Sequence, residues 1–305
     1  MGNTFQFIWE VNLIEWLQSI FSSNAAIQIW SVISMFGEEM VCVAILGFFY
    51  WGLDKETGKF IGTNVVVNTV FNPFLKNIFN RRRPYFDNTG INILKPVDAD
   101  ADIYDIAAQG YSFPSGHSSS SATVFGSLYI KAKKSLFRIL ILLIPFLVGV
   151  SRFVLGAHYP TDVLVGWLLG AVIVIFVPLL RKKISNDCLF YGILALAGLP
   201  GFFFCTSYDF YSGYGLMIGV SIGFMFEEKF VKFNNTKNLL LCIVRTVIGG
   251  ALFLGLNALL KLPFSKEFLE DASKLSQIVK TIRYVVISFA VVGLYPMAFK
   301  LFKKQ

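Results

Sequence analysis

Long apolar segments constrain this chain more than any other feature of its sequence. Hydrophobic residues make up 55% of the 305 residues, and only 15% are charged, whereas soluble domains are about 45–50% apolar and about 25% charged. The apolar residues form runs long enough to cross a bilayer as helices, which takes about 20 residues. A transmembrane barrel would instead show segments of about ten residues with alternating polarity. The sequence therefore predicts an all-α, multispan integral membrane protein.

The apolar runs predict about nine membrane-spanning helices after an N-terminal segment. In residues 4–22, apolar side chains recur at helical spacing but two glutamates interrupt them. This pattern predicts an amphipathic helix at the membrane surface or, alternatively, a short and poor first span. The predicted spans are 27–53, 59–79, 115–132, 136–156, 161–180, 188–204, 210–226, 239–260 and 282–302. The charged stretch 265–280 is predicted to form a further surface helix.

The lysine and arginine residues outside the spans are divided unevenly between the two sides of the membrane. The loops near residues 55–59, 131–138, 181–183 and 229–237, together with the C-terminal end, hold most of them. Since cytoplasmic loops are enriched in these residues, we expect an extracytoplasmic N-terminus and a cytoplasmic C-terminus. The net charge of +8 is then loop charge and not a basic face, so no nucleic-acid partner is predicted.

The second predicted span ends in two cations, Lys76 and Arg83. A spacing of seven residues puts both on one face of a continuous helix. The same face carries Asn64, Asn68 and Asn72. Because polar groups are costly in hydrocarbon, this face should point into the bundle or a wet cavity. The alternative is a lysine that reaches the interface beside a basic membrane flank.

The third predicted span begins with Pro114-Ser115-Gly116-His117. Ser115 is suited to cap the helix, which leaves the backbone N–H groups of Gly116 and its successors free to bind an anion. His117 in the first turn would point at the bound group. The alternative is a capping turn with an incidental histidine.

The fourth predicted span ends near Arg152. Gly156 can end that helix and Pro160 can begin the next, which leaves His158 in a tight turn. Asp162 lies four residues further on and could accept a hydrogen bond from one ring nitrogen, leaving the other as nucleophile or base. The alternative is an aspartate that only complements the helix dipole.

All three charged ends fall on the predicted outer side of the membrane, so we expect them to form one site. Together they supply three cations, a capped helix N-terminus, two histidines and a carboxylate. This set suits a tetrahedral oxyanion, and therefore phosphoryl transfer by positioning and charge stabilisation. The four cysteines show no C-x-x-C spacing and predict neither a disulfide framework nor a zinc site.

These motifs, in order, resemble the three-part signature of the type 2 phosphatidic acid phosphatases. They are Lys76-x6-Arg83-Pro84, Pro114-Ser115-Gly116-His117 and Ser151-Arg152-x5-His158-x3-Asp162. The resemblance covers roughly residues 55–180. Its superfamily includes bacterial lipid phosphatases and glucose-6-phosphatase, and nine spans with an outside N-terminus look more like the latter than like the common six-span lipid phosphatases.

The resemblance implies a role for each residue of the signature. His158 would attack phosphorus and become a phosphohistidine, held by Asp162, while His117 would protonate the leaving oxygen. The phosphoryl oxygens would be bound by Lys76, Arg83, Ser115, Gly116 and Arg152. No metal and no other cofactor is implied.

The pattern of spans and the resemblance together predict a division of the chain and a function. Residues 1–24 would form the surface helix, 25–184 the catalytic phosphatase core and 185–305 an accessory region of four spans. The expected function is metal-independent hydrolysis of a lipid phosphate or pyrophosphate on the outer face, with a phosphorylated lipid and membrane lipids as partners. The oligomeric state stays open.

Several alternatives remain at this point. They are glucose-6-phosphatase-like hydrolysis of a soluble phosphate ester, lipid phosphotransfer, and a non-catalytic transporter or scaffold, the last suggested by the four extra spans. The aspartates from Asp98 to Asp102 lack the glycine and glutamate of a calcium loop, and predict a solvated outer loop or a lid. Glu38 and Glu39 are expected near the site. Arg245 lies inside a span and needs a carboxylate or carbonyl partner.

Overall fold

The computed structural model describes residue 2, residues 5–271 and residues 273–300. Within this part of the chain, all regular secondary structure is helical and no strand is present. The contacts divide the chain into two compact units: a first unit of Met1–Cys42 and Asn72–Val174, and a second unit of Val43–Phe71 and Ile175–Gln305. The predicted boundaries after residues 24 and 184 stay predictions. Residues 4, 301 and 302 of the predicted terminal segments lie outside the described residues.

Fifteen α-helices follow one another along the described part of the chain. They are α1 (Ile8–Ile20), α2 (Asn24–Met35), α3 (Glu39–Gly47), α4 (Lys55–Phe79), α5 (Pro84–Asp87), α6 (Ile106–Gln109), α7 (Gly116–Lys131), α8 (Ser135–Val154), α9 (Pro160–Lys183), α10 (Asp187–Gly198), α11 (Gly201–Phe204), α12 (Tyr208–Phe226), α13 (Leu239–Leu259), α14 (Lys266–Glu270) and α15 (Lys274–Phe289). Short π-helical segments continue α3 over Phe48–Leu53, α12 over Glu227–Val231 and α15 over Ala290–Leu294, and a 3₁₀ segment follows over Tyr295–Lys300.

Among the described residues, five helical segments are long and apolar enough to cross a membrane, which makes this an integral membrane protein. They are α8, α9, Asp187–Phe204, α13 and Lys274–Lys300, and the bent pair formed by α2 and α3 with its π-helical continuation would be a sixth. The other predicted spans are also helical, but α7 has only 16 residues and α4 carries the asparagine stripe. The count of nine spans therefore stays a prediction.

The charged stretch 265–280 does not form the single surface helix that we predicted. Two serines cap two separate helices, because Ser265 accepts a hydrogen bond from the backbone of Phe268 and Ser273 accepts one from Ser276. The first cap begins the short α14. The second begins α15, so the last candidate span starts at Lys274, well before residue 282.

Helix α1 turns its polar side inward. Glu10, Ile14 and Gln18 recur every four residues and are at most 8% exposed, whereas Trp9 and Trp16 are 49% and 58% exposed. The helix therefore presents aromatic side chains outward and two polar groups to the interior of the first unit. Its predicted position at the membrane surface stays a prediction.

The link between α8 and α9 folds as its sequence predicts. Gly156 has a φ of +73° just after the end of α8, and a Cβ at this position would collide with the carbonyl oxygen of Asn92. Only glycine combines this left-handed backbone with such a close approach. Pro160 then begins α9, where its missing N–H costs nothing. His158 lies in the turn between these two signals.

In the second unit, α12 packs along α15, and α13 packs against α15 and the π-helical segment after α3. Arg245 of α13 finds its partners among carbonyls. Its Nη1 donates to the oxygen of Trp51 at 2.9 Å and to that of Asn234 at 3.3 Å, and its guanidinium lies 4.1 Å from the centre of the Phe299 ring. Arg245 is therefore held by backbone groups of its own unit.

Candidate active site

Hydrogen bonds to the backbone join the three sequence clusters inside the first unit. The amide of Ser115 donates to the carbonyl of Asp162 at 3.0 Å, and Arg83 Nη1 donates to the carbonyl of Ala157 at 3.0 Å. The amide of Ser112, just before the motif Pro114-Ser115-Gly116-His117, donates to the carbonyl of Arg81 at 2.8 Å. The three segments are thus in direct contact.

His158 lies at the centre of this arrangement and is only 2% exposed. Its Nε2 is 3.5 Å from Arg83 Nη1, and its Nδ1 is 3.6 Å from Asp162 Oδ2. Burial, followed by the positive charges of Arg83, Arg152 and Lys76, lowers the pKa of His158 well below its usual value of about 6.5. The ring is therefore neutral at physiological pH.

Asp162 is completely buried and has most of its hydrogen bonds already formed. Its Oδ2 accepts from the amide of Tyr159 at 2.8 Å, and its Oδ1 accepts from Arg81 Nη1 at 2.6 Å. The expected hydrogen bond to His158 is not formed at 3.6 Å. Such contacts are often long in unliganded sites and shorten when the reacting group binds.

Arg83 is held rigidly by carbonyl groups. Its Nε donates to the oxygens of Gln109 and Gly110, both at 3.0 Å, and its Nη2 donates to Gln109 at 2.7 Å. With Nη1 on Ala157, three of its nitrogens are fixed by backbone oxygens. The guanidinium therefore meets His158 in one defined orientation.

Lys76 and Arg83 do not share a helix face, contrary to our prediction. Helix α4 ends at Phe79, and Asn80 has a φ of +50°. Arg83 then precedes Pro84, which begins the short α5. A turn, and not two turns of helix, brings Arg83 to the site. Lys76 lies in the last turn of α4, half-buried, and acts electrostatically on both histidines.

Arg152 is 2% exposed and lies near the end of α8. Its Nη1 donates to Ser34 Oγ of α2 at 2.5 Å, where α2 packs against α8. Its Nε is buried and has no hydrogen-bond partner among the described residues. A buried donor of this kind is costly unless a ligand completes it.

Ser115 caps α7 as its sequence predicts. Its Oγ accepts from the amide and the hydroxyl of Ser118, at 3.3 and 2.9 Å, and α7 begins at Gly116. His117 is half-buried in the first turn and packs against Gly37, where a Cβ would come within 2.7 Å of the His117 carbonyl oxygen. Arg152 is close enough to act on His117 electrostatically.

Lys95, which we did not predict as a site residue, lies close enough to His117 to act on it electrostatically. Lys95 forms an ion pair of 2.7 Å with Glu38, and the two side chains are 33% and 34% exposed. Lys95 acts electrostatically on His117, and Glu38 acts on Arg152. The position of Glu38 agrees with its expected proximity to the site. The segment that joins α2 to α3 therefore lines the site beside His117.

Arg81 is a second residue of the site that the sequence motifs did not indicate. It is completely buried and pairs with Asp162 at 2.6 Å and with Glu10 at 2.8 Å. Arg82, its neighbour, is 32% exposed and pairs with Asp87. Three consecutive arginines beside a motif were the only local signal.

The aspartate loop after Lys95 closes on itself. Asp98 and Asp102 accept hydrogen bonds from amides two residues further on, and the buried amide of Gln109 donates to the Asp98 carbonyl at 2.7 Å. Within residues 5–271 and 273–300, no group of three or more histidine, cysteine, aspartate or glutamate residues could hold a metal ion. The aspartates thus fold their own turns.

Two family models match the sequence over most of its length. The PAP2 superfamily model matches residues 58–185, and the model described as "PAP2 superfamily phosphatase, transmembrane extension" matches residues 211–305. The first match contains every predicted site residue. No solved structure matches the chain.

Curated relatives resemble the chain over part of its length. An undecaprenyl-diphosphatase of Sulfolobus acidocaldarius is 30% identical over 143 residues, which are 46% of this chain and 63% of that protein. A lipid A 1-phosphatase of Rhizobium etli is 26% identical over 47% of this chain and 66% of its own length. A phosphatidylglycerophosphatase B of Bacillus subtilis is 36% identical over 25% and 42%, respectively. The chain thus spans less than two thirds of each relative.

Proposed function

Because the chain belongs to the PAP2 superfamily, we propose that it is a membrane phosphatase that removes phosphate from a phosphorylated lipid. One observation carries the proposal: a neutral, buried His158 lies 3.5 Å from Arg83, in the field of Arg152 and Lys76. A neutral imidazole beside several cations suits attack on a phosphate dianion, whose charge the cations neutralise. The relatives named above as lipid phosphatases support the lipid substrate.

His158 is the nucleophile of the proposed reaction. Asp162 lies on the Nδ1 side of the ring, so that Nδ1 keeps the proton and Nε2 carries the lone pair. Nε2 attacks phosphorus, the bond from phosphorus to the ester oxygen breaks, and a phosphohistidine forms. Water then attacks the phosphohistidine and releases inorganic phosphate.

The remaining residues of the site stabilise charge and transfer a proton. Lys76, Arg83 and Arg152 face the phosphoryl oxygens, helped by the Ser115 cap and the amide of Gly116 at the start of α7. His117 protonates the leaving oxygen and later assists the attacking water. Since the cations neutralise the phosphoryl charge, the proposed reaction needs no metal ion.

The membrane arrangement of the proposal follows from the sequence. The nine predicted spans put the N-terminus and the site on the extracytoplasmic side and the C-terminus in the cytoplasm. At the end of α8, the site then lies at the depth of lipid headgroups. A lipid phosphate can reach it there while its acyl or prenyl chains stay in the bilayer.

Phosphate release by the purified protein in detergent tests this function. The substrates are phosphatidate, an isoprenyl diphosphate, sphingosine phosphate and glucose 6-phosphate, each with excess chelator, and the His158→Ala variant is the control. We expect release from a lipid, which the variant loses. Release from glucose 6-phosphate alone would reject the lipid substrate. Transfer of labelled phosphate to an acceptor other than water would reject hydrolysis.

Lys95 gives a prediction about the leaving group. It lies on the side of His117, where the leaving oxygen departs, and a diphosphate leaves as an anionic phosphate ester. We therefore expect Lys95→Met to lower kcat/KM for an isoprenyl diphosphate about tenfold, or about 1.4 kcal/mol. The loss for the corresponding monophosphate should be smaller.

The exposed Lys133, on the loop before α8, provides the matched control for this measurement. Lys133→Met should leave kcat/KM unchanged for both lipids. Equal losses for the diphosphate and the monophosphate in Lys95→Met would contradict a role of Lys95 at the leaving group.

A further inference from the structure

Helix α1 contributes a buried glutamate that contacts Arg81 and Thr161, next to Asp162. Glu10 is 0% exposed, and its Oε2 pairs with Arg81 Nη2 at 2.8 Å. Its Oε1 accepts from the amide and the hydroxyl of Thr161, at 3.0 and 2.5 Å. Thr161 directly precedes Asp162, so α1 is tied to the helix start that carries the site aspartate.

Arg81 connects Glu10 to Asp162. One guanidinium nitrogen, Nη1, donates to Asp162 Oδ1 at 2.6 Å and to Thr161 Oγ1 at 2.7 Å, while Nη2 holds Glu10. The guanidinium packs against two rings, 4.5 Å from the centre of Phe5 and 3.9 Å from that of Tyr159. This packing leaves the side chain one orientation.

The chain of contacts continues to the histidine. Asp162 uses Oδ1 for Arg81, which directs Oδ2 to the Tyr159 amide at 2.8 Å and towards His158 Nδ1 at 3.6 Å. Rotation of the carboxylate would break the Arg81 pair. The orientation of the carboxylate towards His158 thus depends on Arg81, which Glu10 holds in turn.

The net charge of Glu10, Arg81 and Asp162 matters as much as their geometry. Asp162 and Arg81 alone would be neutral, and their charges would cancel next to a histidine that becomes positive as it is phosphorylated. Glu10 returns the net charge of the three residues to −1. In a buried setting, where charges are screened less than in water, this difference stabilises the cationic ring.

We propose that Glu10 and Arg81 are positioning residues for phosphoryl transfer: they orient the Asp162 carboxylate towards His158 and keep the supporting group anionic. The inference rests on the proposed function. It extends the site to the N-terminal helix, which lies outside the matched residues 58–185.

Four purified variants test this role. Glu10→Gln and Arg81→Met should lower kcat about 10- to 100-fold, as outer-shell substitutions at metal sites do, and should leave KM within about threefold. Glu15→Gln, an exposed glutamate on the same helix, and Arg82→Met, at the partly exposed neighbour, are the matched controls. Both controls should keep wild-type kcat. Thermal unfolding checks that each variant is folded.

A double-mutant cycle separates positioning from a merely structural role. If Glu10 acts through Asp162, Glu10→Gln should change kcat little in an Asp162→Asn background. An equal loss in both backgrounds, or wild-type kcat in Glu10→Gln, would overturn the inference while the function stands. If Arg81→Met does not fold, the isosteric Glu10→Gln decides. A wild-type protein without phosphate release from any substrate would instead overturn the proposed function, and the inference with it.

Discussion

The His158→Ala substitution is expected to abolish phosphate release. The variant loses the nucleophile itself, whereas the cations around it remain, so only weak charge stabilisation of a direct water attack is left. Removing the nucleophilic serine of a serine protease lowers kcat about 10⁶-fold, and we expect a loss of this order. The measurement is release of phosphate from the best lipid of the panel. A folded variant with more than a few per cent of wild-type kcat would reject His158 as nucleophile.

The other histidine, His117, gives the sharpest comparison. His117→Ala should also lose turnover of a lipid, because an alkoxide leaving group needs a proton. With p-nitrophenyl phosphate, however, the leaving group needs none, and labelled phosphoenzyme should accumulate when the reaction is quenched in alkali. His158→Ala should form no phosphoenzyme from either substrate. Equal behaviour of the two variants with p-nitrophenyl phosphate would contradict the separation of their roles.

The electrostatics of His158 add a pH dependence to this prediction. Attack requires the neutral ring, and the ring becomes protonated only as the pH falls through its pKa. Burial and the neighbouring cations lower the pKa of His158 well below about 6.5. The second-order rate constant of phosphoenzyme formation from p-nitrophenyl phosphate, which reports the free enzyme, should therefore not halve near pH 6.5, and its acid limb should lie lower. A midpoint at or above 6.5 would contradict the buried, cationic environment.

Local signals predicted the parts of the site that depend on a few neighbouring residues. Ser115 caps a helix because its hydroxyl reaches the backbone three residues on, and Gly156 and Pro160 end and begin helices through their own backbone preferences. The sequence thus predicted the turn that holds His158. It also predicted that the three charged ends meet, because the predicted topology puts all three on one side of the membrane.

The parts that depend on distant chain segments were not predictable in this way. The sequence motifs did not indicate Arg81, because its burial depends on Glu10, 71 residues earlier in the chain. The direction of Arg83 depends on the carbonyls of Gln109 and Gly110, and helical periodicity wrongly placed it on a face with Lys76. A period of 3.6 residues describes a helix only as far as the helix continues, and α4 ends at Phe79.

Arg152→Ala is also expected to have a large effect. Arginines that stabilise the charge of a phosphoryl group contribute about 10³- to 10⁵-fold to kcat, and we expect a loss of at least about 10³-fold. Arg152→Lys should recover only part of it, because an ammonium keeps the charge without the planar fork of donors. The measurement is kcat with the best lipid substrate. Arg138→Ala is the matched control, since Arg138 lies on the same helix about 20 Å away and is only half-buried.

We expect so large an effect because Arg152 has a buried N–H that can donate to a phosphoryl oxygen. Ser34 engages Nη1 at 2.5 Å and fixes the side chain, while Nε is buried without a partner among the described residues. A buried, unsatisfied N–H costs about 1–3 kcal/mol, which the folded protein tolerates at a position where a phosphoryl oxygen completes it. Inorganic phosphate should accordingly raise the melting temperature of the wild type and not that of Arg152→Ala. Stabilisation of both by the same amount would show that Arg152 does not bind the phosphoryl group.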